Sequence, residues 1–261
     1  SAGYGTPTKS ADIYDPATGR FIPTADMLSA RLDHVSVPVI ITGPYSFSAP
    51  GITSQTLIAG GVSVIDAARV HEYVPTAEIF TAGTFRAIGP MNASRAGARV
   101  TMMNSGRVLI AGGVTTVPAW SQLASAEYLS ANNPGTLNYS FTLTSAPMYY
   151  GRVGHTVTPV RVQGRPAVLI AGGGDNSAMW TAELYLQRED SFDDYAQIAL
   201  VRSRIFHAAA LLNDGRVLIC GGRRSSNSLD GEWNQAELFD PRTCDFSESV
   251  RDPTTGFRSI E

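Results

Sequence analysis

Three of the four histidines, His34, His155 and His207, stand three residues after an arginine (Arg31, Arg152 and Arg204). Imidazoles at one recurring position could converge on a metal such as zinc or copper. Acids recur as regularly: Asp12, Glu78, Glu127, Glu183 and Glu237 each follow an alanine and precede an apolar or aromatic pair. Carboxylates do acid–base chemistry when their surroundings split a pair into a proton donor and a base. Both sets are in phase with the whole chain, however, and a residue repeated in unit after unit belongs to the hydrogen bonding of the unit itself. The acids are therefore expected to be salt-bridged or hydrogen-bonded between units, with the recurring arginines as partners. No catalytic residue and no metal ligand is assigned, and no cofactor is expected. The chain carries no Gly-x-Ser-x-Gly elbow, His-Glu-x-x-His pair or phosphate loop.

The elements that hold these residues repeat. A glycine pair closes an apolar run at Gly60-Gly61, Gly112-Gly113, Gly172-Gly173 and Gly221-Gly222, at separations of 52, 60 and 49 residues. The acid follows each pair after a variable loop, then comes a phenylalanine (Phe85, Phe141, Phe192, Phe246, with Phe21 after Asp12), then an arginine that opens the next apolar run. One unit reads as four short strands, a to d. Strand a follows the arginine and turns through Gly-containing tetrads such as Asn213-Asp214-Gly215-Arg216 into strand b, since glycine supplies the positive φ of a tight hairpin. Strand b is almost wholly apolar, so it should be covered on both faces. Strand c starts at the acid, and its turn to strand d, Asp15-Pro16-Ala17-Thr18-Gly19, pairs a proline that fixes φ with a glycine for the left-handed position. Four antiparallel strands every ~50 residues describe a propeller blade.

Composition agrees. The 261 residues are 43% hydrophobic and carry 20 basic against 23 acidic side chains, a net charge of −3. That is too apolar and too weakly charged for a disordered chain. No run approaches the roughly 20 apolar residues of a membrane span, and the balance lacks the basic footprint of nucleic-acid binding. Cys220 and Cys244 are too few for a disulfide scaffold. Cys220, at the end of strand b, is expected to be packed, and Cys244 falls in a c–d turn, too far away to pair with it.

These motifs resemble the kelch repeats, and more closely the bacterial, galactose-oxidase-like variety with an Asp-Gly-Arg-Val-Leu-Ile-x-Gly-Gly core, matched by Asp214 to Gly222. The resemblance covers nearly the whole chain and implies an all-β fold, a kelch-type β-propeller of four-stranded antiparallel blades. The radical copper enzymes among such proteins need an adjacent Tyr-His pair, which this sequence lacks. The units divide as a half-blade of strands c and d over 1–30, then blades over 31–94, 95–151, 152–203 and 204–257, with a further strand starting at 258–261, all one propeller domain. The count is four complete blades plus a half-blade, five-bladed if the missing strands a and b are supplied. A longer polypeptide, a partner or a second copy could supply them, because a two-stranded remnant leaves its strand c with an unpaired edge.

The loops after the glycine pairs, 62–76, 114–125, 174–181 and 223–235, differ from one another and hold all three tryptophans, Trp120, Trp180 and Trp233, with Tyr73 in a comparable place. Strands b and d run parallel, so these loops share a face with the d–a connections. Tryptophan couples a large apolar face to one donor, which suits protein interfaces and sugar rings. Each could instead fold down over the end of its own blade. Asp175, Arg223 and Arg224 add mixed charge, and the Thr42–Gln55 insertion on the opposite face is a second contact candidate. The expected role is a binding or structural module that presents these loops to a protein or glycan. An enzyme, hydrolase or metal-dependent oxidase, with a pocket at the axis, and an assembly subunit completed by strand donation from another chain are the alternatives. The resemblance implies an extracellular or cell-surface setting.

Overall fold

The computed structural model describes residues 6–39, 55–64, 71–116, 121–131, 138–174, 180–193, 198–224 and 233–248. Among them the fold is all-β, and its large sheets are the four-stranded antiparallel meanders of propeller-type blades, one of them with a short fifth strand. The chain forms two compact units, Ser1–Thr144 and Ser145–Glu261.

The first unit opens with a hairpin of β1 (Asp12–Asp15) and β2 (Arg20–Pro23). The next sheet takes β3 (Val35–Val39), β4 (Gln55–Ala59), β7 (Ala77–Thr81) and β8 (Thr84–Ile88), in that order across the sheet. A small hairpin of β5 (Val62–Val64) and β6 (His71–Tyr73) rises from its b–c loop. The following sheet holds β9 (Arg99–Met102), β10 (Val108–Ala111), β13 (Ala126–Ala131) and β14 (Tyr139–Leu143), with β11 (Val114–Thr115) and β12 (Ser121–Gln122) as the corresponding small hairpin. Val35, Leu57, Ile79, Val108, Ile110 and Leu129 pack together between these two sheets.

In the second unit, β15 (Thr156–Val162), β16 (Arg165–Ala171), β17 (Thr181–Leu186) and β18 (Ser191–Phe192) follow the same order, and β19 (Ile198–Ala199) also pairs with β17. The last sheet is β20 (Ala208–Leu211), β21 (Val217–Cys220), β22 (Ala236–Asp240) and β23 (Asp245–Glu248). Leu169, Leu184, Ile198, Val217, Ile219 and Phe239 form the core of this unit.

The recurring letters of the sequence have local causes. Strand b is the buried middle of each sheet, as its apolar run requires. While Phe141 faces Leu129, in four of the five units the phenylalanine of strand d lies directly across from an aromatic of strand c in register, as Tyr14 with Phe21, Phe80 with Phe85, Tyr185 with Phe192 and Phe239 with Phe246. Their ring centroids are 4.8–5.3 Å apart in tilted pairs, a favoured cross-strand contact. At the turns, Gly215 has φ +89° and Gly19 φ +67°. The Gly19 position is taken by Cys244 in the last sheet, at φ +58°.

One expectation fails. Cys220 is exposed, not packed, although the same position in the other sheets holds the buried Ala59, Ala111 and Ala171. The reason lies in the outer face of the last sheet, where Ala208, opposite Cys220, and Ala210, two residues on, are also exposed because no further sheet covers them among the described residues. Both cysteines are free.

Candidate functional site

The recurring arginines and glutamates form one buried device, repeated in each of the four blades. Arg204 donates from Nε and Nη2 to Glu237 Oε1, at 3.0 and 2.6 Å, and from Nη1 to the carbonyls of Gly221 and Gln235. The same pairs join Arg31 to Glu78, Arg95 to Glu127 and Arg152 to Glu183 at 2.6–2.8 Å. Each pair sits within one blade rather than between blades. The link between repeats comes from the remaining capacity of the carboxylate, which accepts backbone N–H groups from the preceding d–a connection: Leu28 and Ser29, Asn92, Tyr149 and Tyr150, and Val201 and Arg202. Burial pulls the Arg95 and Arg152 guanidinium groups below the ordinary arginine value, opposed by Glu127 and Glu183. With both oxygens of each carboxylate hydrogen-bonded inside the fold, these carboxylates are structural. Asp12, the first of the recurring acids, is exposed in β1.

The glycine pair completes the device. The carbonyl of the first glycine accepts from the arginine of its own repeat, as Arg31 to Gly60. The amide of the second donates to the arginine carbonyl of the next repeat, as Gly61 to Arg95 and Gly173 to Arg204. A Cβ on Gly60 or Gly172 would stand 2.4 or 2.6 Å from that same carbonyl oxygen, so a side chain has no room there.

Two of the recurring histidines are taken up by the fold, while His34 is exposed. His155 is fully buried, and His207 Nε2 lies 3.0 Å from Thr156 Oγ1 of the neighbouring strand a. Among the described residues no three His, Cys, Asp or Glu side chains are placed to hold a metal ion.

The d–a connections have a pattern that sequence inspection passed over. Met27, Met91, Met148 and Leu200 recur four residues before the arginine, and all are buried. The next two residues, Leu28-Ser29, Asn92-Ala93, Tyr149-Tyr150 and Val201-Arg202, differ from blade to blade, and what recurs in the device is their backbone amides. Asn92 alone adds its side chain to the device, donating to Glu127 Oε2 at 3.0 Å. Tyr149 is 72% exposed and meets Tyr150 edge to face, with ring centroids 4.7 Å apart.

The predicted loop residues divide. Trp180 is 65% exposed, while its carbonyl accepts from the Leu200 amide, next to the d–a connection. Trp233 is folded down: its Nε1 donates to the Ser203 carbonyl at 2.8 Å and the Arg202 guanidinium lies 5.0 Å from its ring. Tyr73 is half-buried in β6, Arg223 is half-buried, and Arg224 is exposed. Trp120 and Asp175 lie outside the described residues, as does the Thr42–Gln55 insertion apart from Gln55, whose side chain accepts from the Tyr139 hydroxyl. The second unit thus brings Tyr149, Tyr150, Trp180, Val201 and Arg224 to the connections at one end of its sheets.

No family model matches this chain, and no curated protein matches it. Among solved structures the chain is similar to that of YjhT, at 13% identity and a TM-score of 0.62, over 92% of this chain and 75% of that one. At that identity the likeness concerns the fold.

Proposed function

We propose that the chain is a kelch-type propeller module that binds a protein or glycan through its b–c loops and d–a connections, in an extracellular or cell-surface setting. The observation that carries this is the exposure of Tyr149 and Trp180 on connections whose backbone is already fixed by Glu183 and Leu200. Neither aromatic ring is needed by the repeat device, and large exposed aromatics on a rigid frame are the composition of recognition surfaces. The test is to screen the full chain against a glycan array and a phage-displayed peptide library, then to repeat each hit with Tyr149→Ala/Trp180→Ala. Hits that weaken at least about tenfold support the proposal. Hits that bind the double variant unchanged, with its fold intact, overturn it.

An assembly role is the second reading, supported by the β1–β2 hairpin. Ile13, Tyr14, Phe21 and Ile22 are all exposed, and β1 pairs only with β2 among the described residues. An apolar edge of that kind is a template for added strands. Solution mass measurement against protein concentration tests it, because a monomer at every concentration contradicts pairing between copies.

A further inference from the structure

In each described blade the second residue after the recurring arginine has a left-handed backbone: Asp33 at φ +52°, Gly97 at +61°, Gly154 at +69° and Phe206 at +55°. Glycine adopts this conformation freely and aspartate tolerates it, whereas a bulky side chain there is an outlier. Phe206 is thus the residue least suited to its position. It is not retained for core packing, since it is 52% exposed. One side of its ring rests on Gly154, where a Cβ would stand 3.1 Å from Cε1, and its amide donates to the Gly154 carbonyl.

A second, independent feature sits over the ring. The Arg223 guanidinium is 5.0 Å from the Phe206 centroid, held there by the backbone bridge between Ile205 and Arg223. Its Nε is buried without a hydrogen-bond partner, and among the described residues no carboxylate pairs with its charge. This sets it apart from Arg204, whose charge is matched by Glu237. Arg224, next along, is exposed, and Trp233, whose amide donates to the Gly222 carbonyl, borders the same end of the sheet.

We infer that Phe206, Arg223 and Arg224 form a docking site for an acidic, apolar-flanked segment of a partner protein. The phenyl face takes an apolar side chain and the two guanidinium groups take carboxylates, in bidentate fashion where geometry allows. Charge complementarity decides for an acidic partner, since among the described residues no carboxylate meets Arg223 and a cationic or neutral segment would supply none. The inference rests on the binding-module proposal and moves its centre from Tyr149 and Trp180 to a site that includes Phe206.

The test uses the full chain and a fluorescein-labelled peptide alternating glutamate with phenylalanine and leucine, read by anisotropy at low salt. The controls are its lysine-for-glutamate counterpart and an oligogalacturonate. Phe206→Gly suits the backbone and Arg223→Gln keeps most of the side-chain volume, so both should melt near the wild type. The expected result is binding of the glutamate peptide, none of the lysine peptide, and a loss of at least about tenfold in each variant. No binding by the wild type, equal binding by the variants, or binding of oligogalacturonate in place of the peptide overturns the inference. If Tyr149→Ala/Trp180→Ala abolishes peptide binding while Phe206→Gly and Arg223→Gln leave it unchanged, the binding-module proposal stands and this site falls.

Discussion

Arg204 and Glu237 meet at 2.6 Å with neither side chain open to solvent. The carboxylate also takes the amides of Val201 and Arg202, so one acid ties strand c to the arginine of its own blade and to the connection that enters it. Buried charges persist only when paired and fully hydrogen-bonded, and the same solution recurs at Glu78, Glu127 and Glu183.

Removing one partner should therefore be costly. Glu237→Ala leaves the Arg204 guanidinium buried and unpaired, a loss of about 3–5 kcal/mol. The expected result is a melting temperature about 6–20 °C below wild type, while Asp12→Ala, at an exposed site, shifts stability by no more than about 0.5 kcal/mol. Equal effects of the two substitutions in a thermal melt would contradict the structural role of the recurring acid.

Two glycines with similar backbones should differ sharply. Gly222 has φ +81° and a Cβ there would lie 2.6 Å from the Ile205 carbonyl oxygen, whereas Gly215 has φ +89° with nothing within 4 Å. Gly215→Ala should cost only the left-handed strain of roughly 1–2 kcal/mol, and Gly222→Ala distinctly more. Denaturant unfolding of both variants measures the difference, and equal losses would place the constraint in φ alone.

The cysteines should react in order. Cys220 is exposed. The Cys244 thiol is pushed up by burial and by the nearby Asp193, Asp245 and Asp240, which keeps it from the reactive thiolate form. Peptide mapping after brief iodoacetamide treatment at mildly alkaline pH should find Cys220 modified first, and equal labelling would refute this.

The turn at Asp240 carries a pH signature. Its carboxyl is held down at about 2, chiefly by the hydrogen bond from Arg242. A carboxyl that titrates lower in the folded than in the unfolded state stabilises the fold above the unfolded value, near 4, and loses that contribution as pH falls towards about 2. Asp240→Asn should thus lower stability at neutral pH, and the gap from wild type should close through that acid window. A gap that stays constant down to pH 2 would show that Arg242 does not hold the carboxylate.

Much of the fold was legible because the repeat forces it. The glycine pairs, acids and phenylalanines recur in phase, and an antiparallel meander places each at one height in its sheet. The partnership of arginine with acid was legible too, but not its place within the blade, because phase alone does not say which neighbour a side chain turns to. Trp180 and Trp233 looked alike in sequence and differ in structure, since only Trp233 finds the Ser203 carbonyl for its indole N–H. Phe206 was passed over because its peculiarity is a backbone angle, and Cys220 was misjudged because burial at the end of strand b depends on a neighbouring sheet.

The central claim is that the recurring residues carry the fold while the exposed aromatics of the connections are left for recognition. Its most direct measurement is the thermal melt of Tyr149→Ala/Trp180→Ala beside that of Glu237→Ala. The double variant is expected to melt within about 2 °C of wild type, as surface substitutions do, while Glu237→Ala falls far below. A double variant destabilised as severely as Glu237→Ala would make the two aromatics part of the framework and contradict the claim.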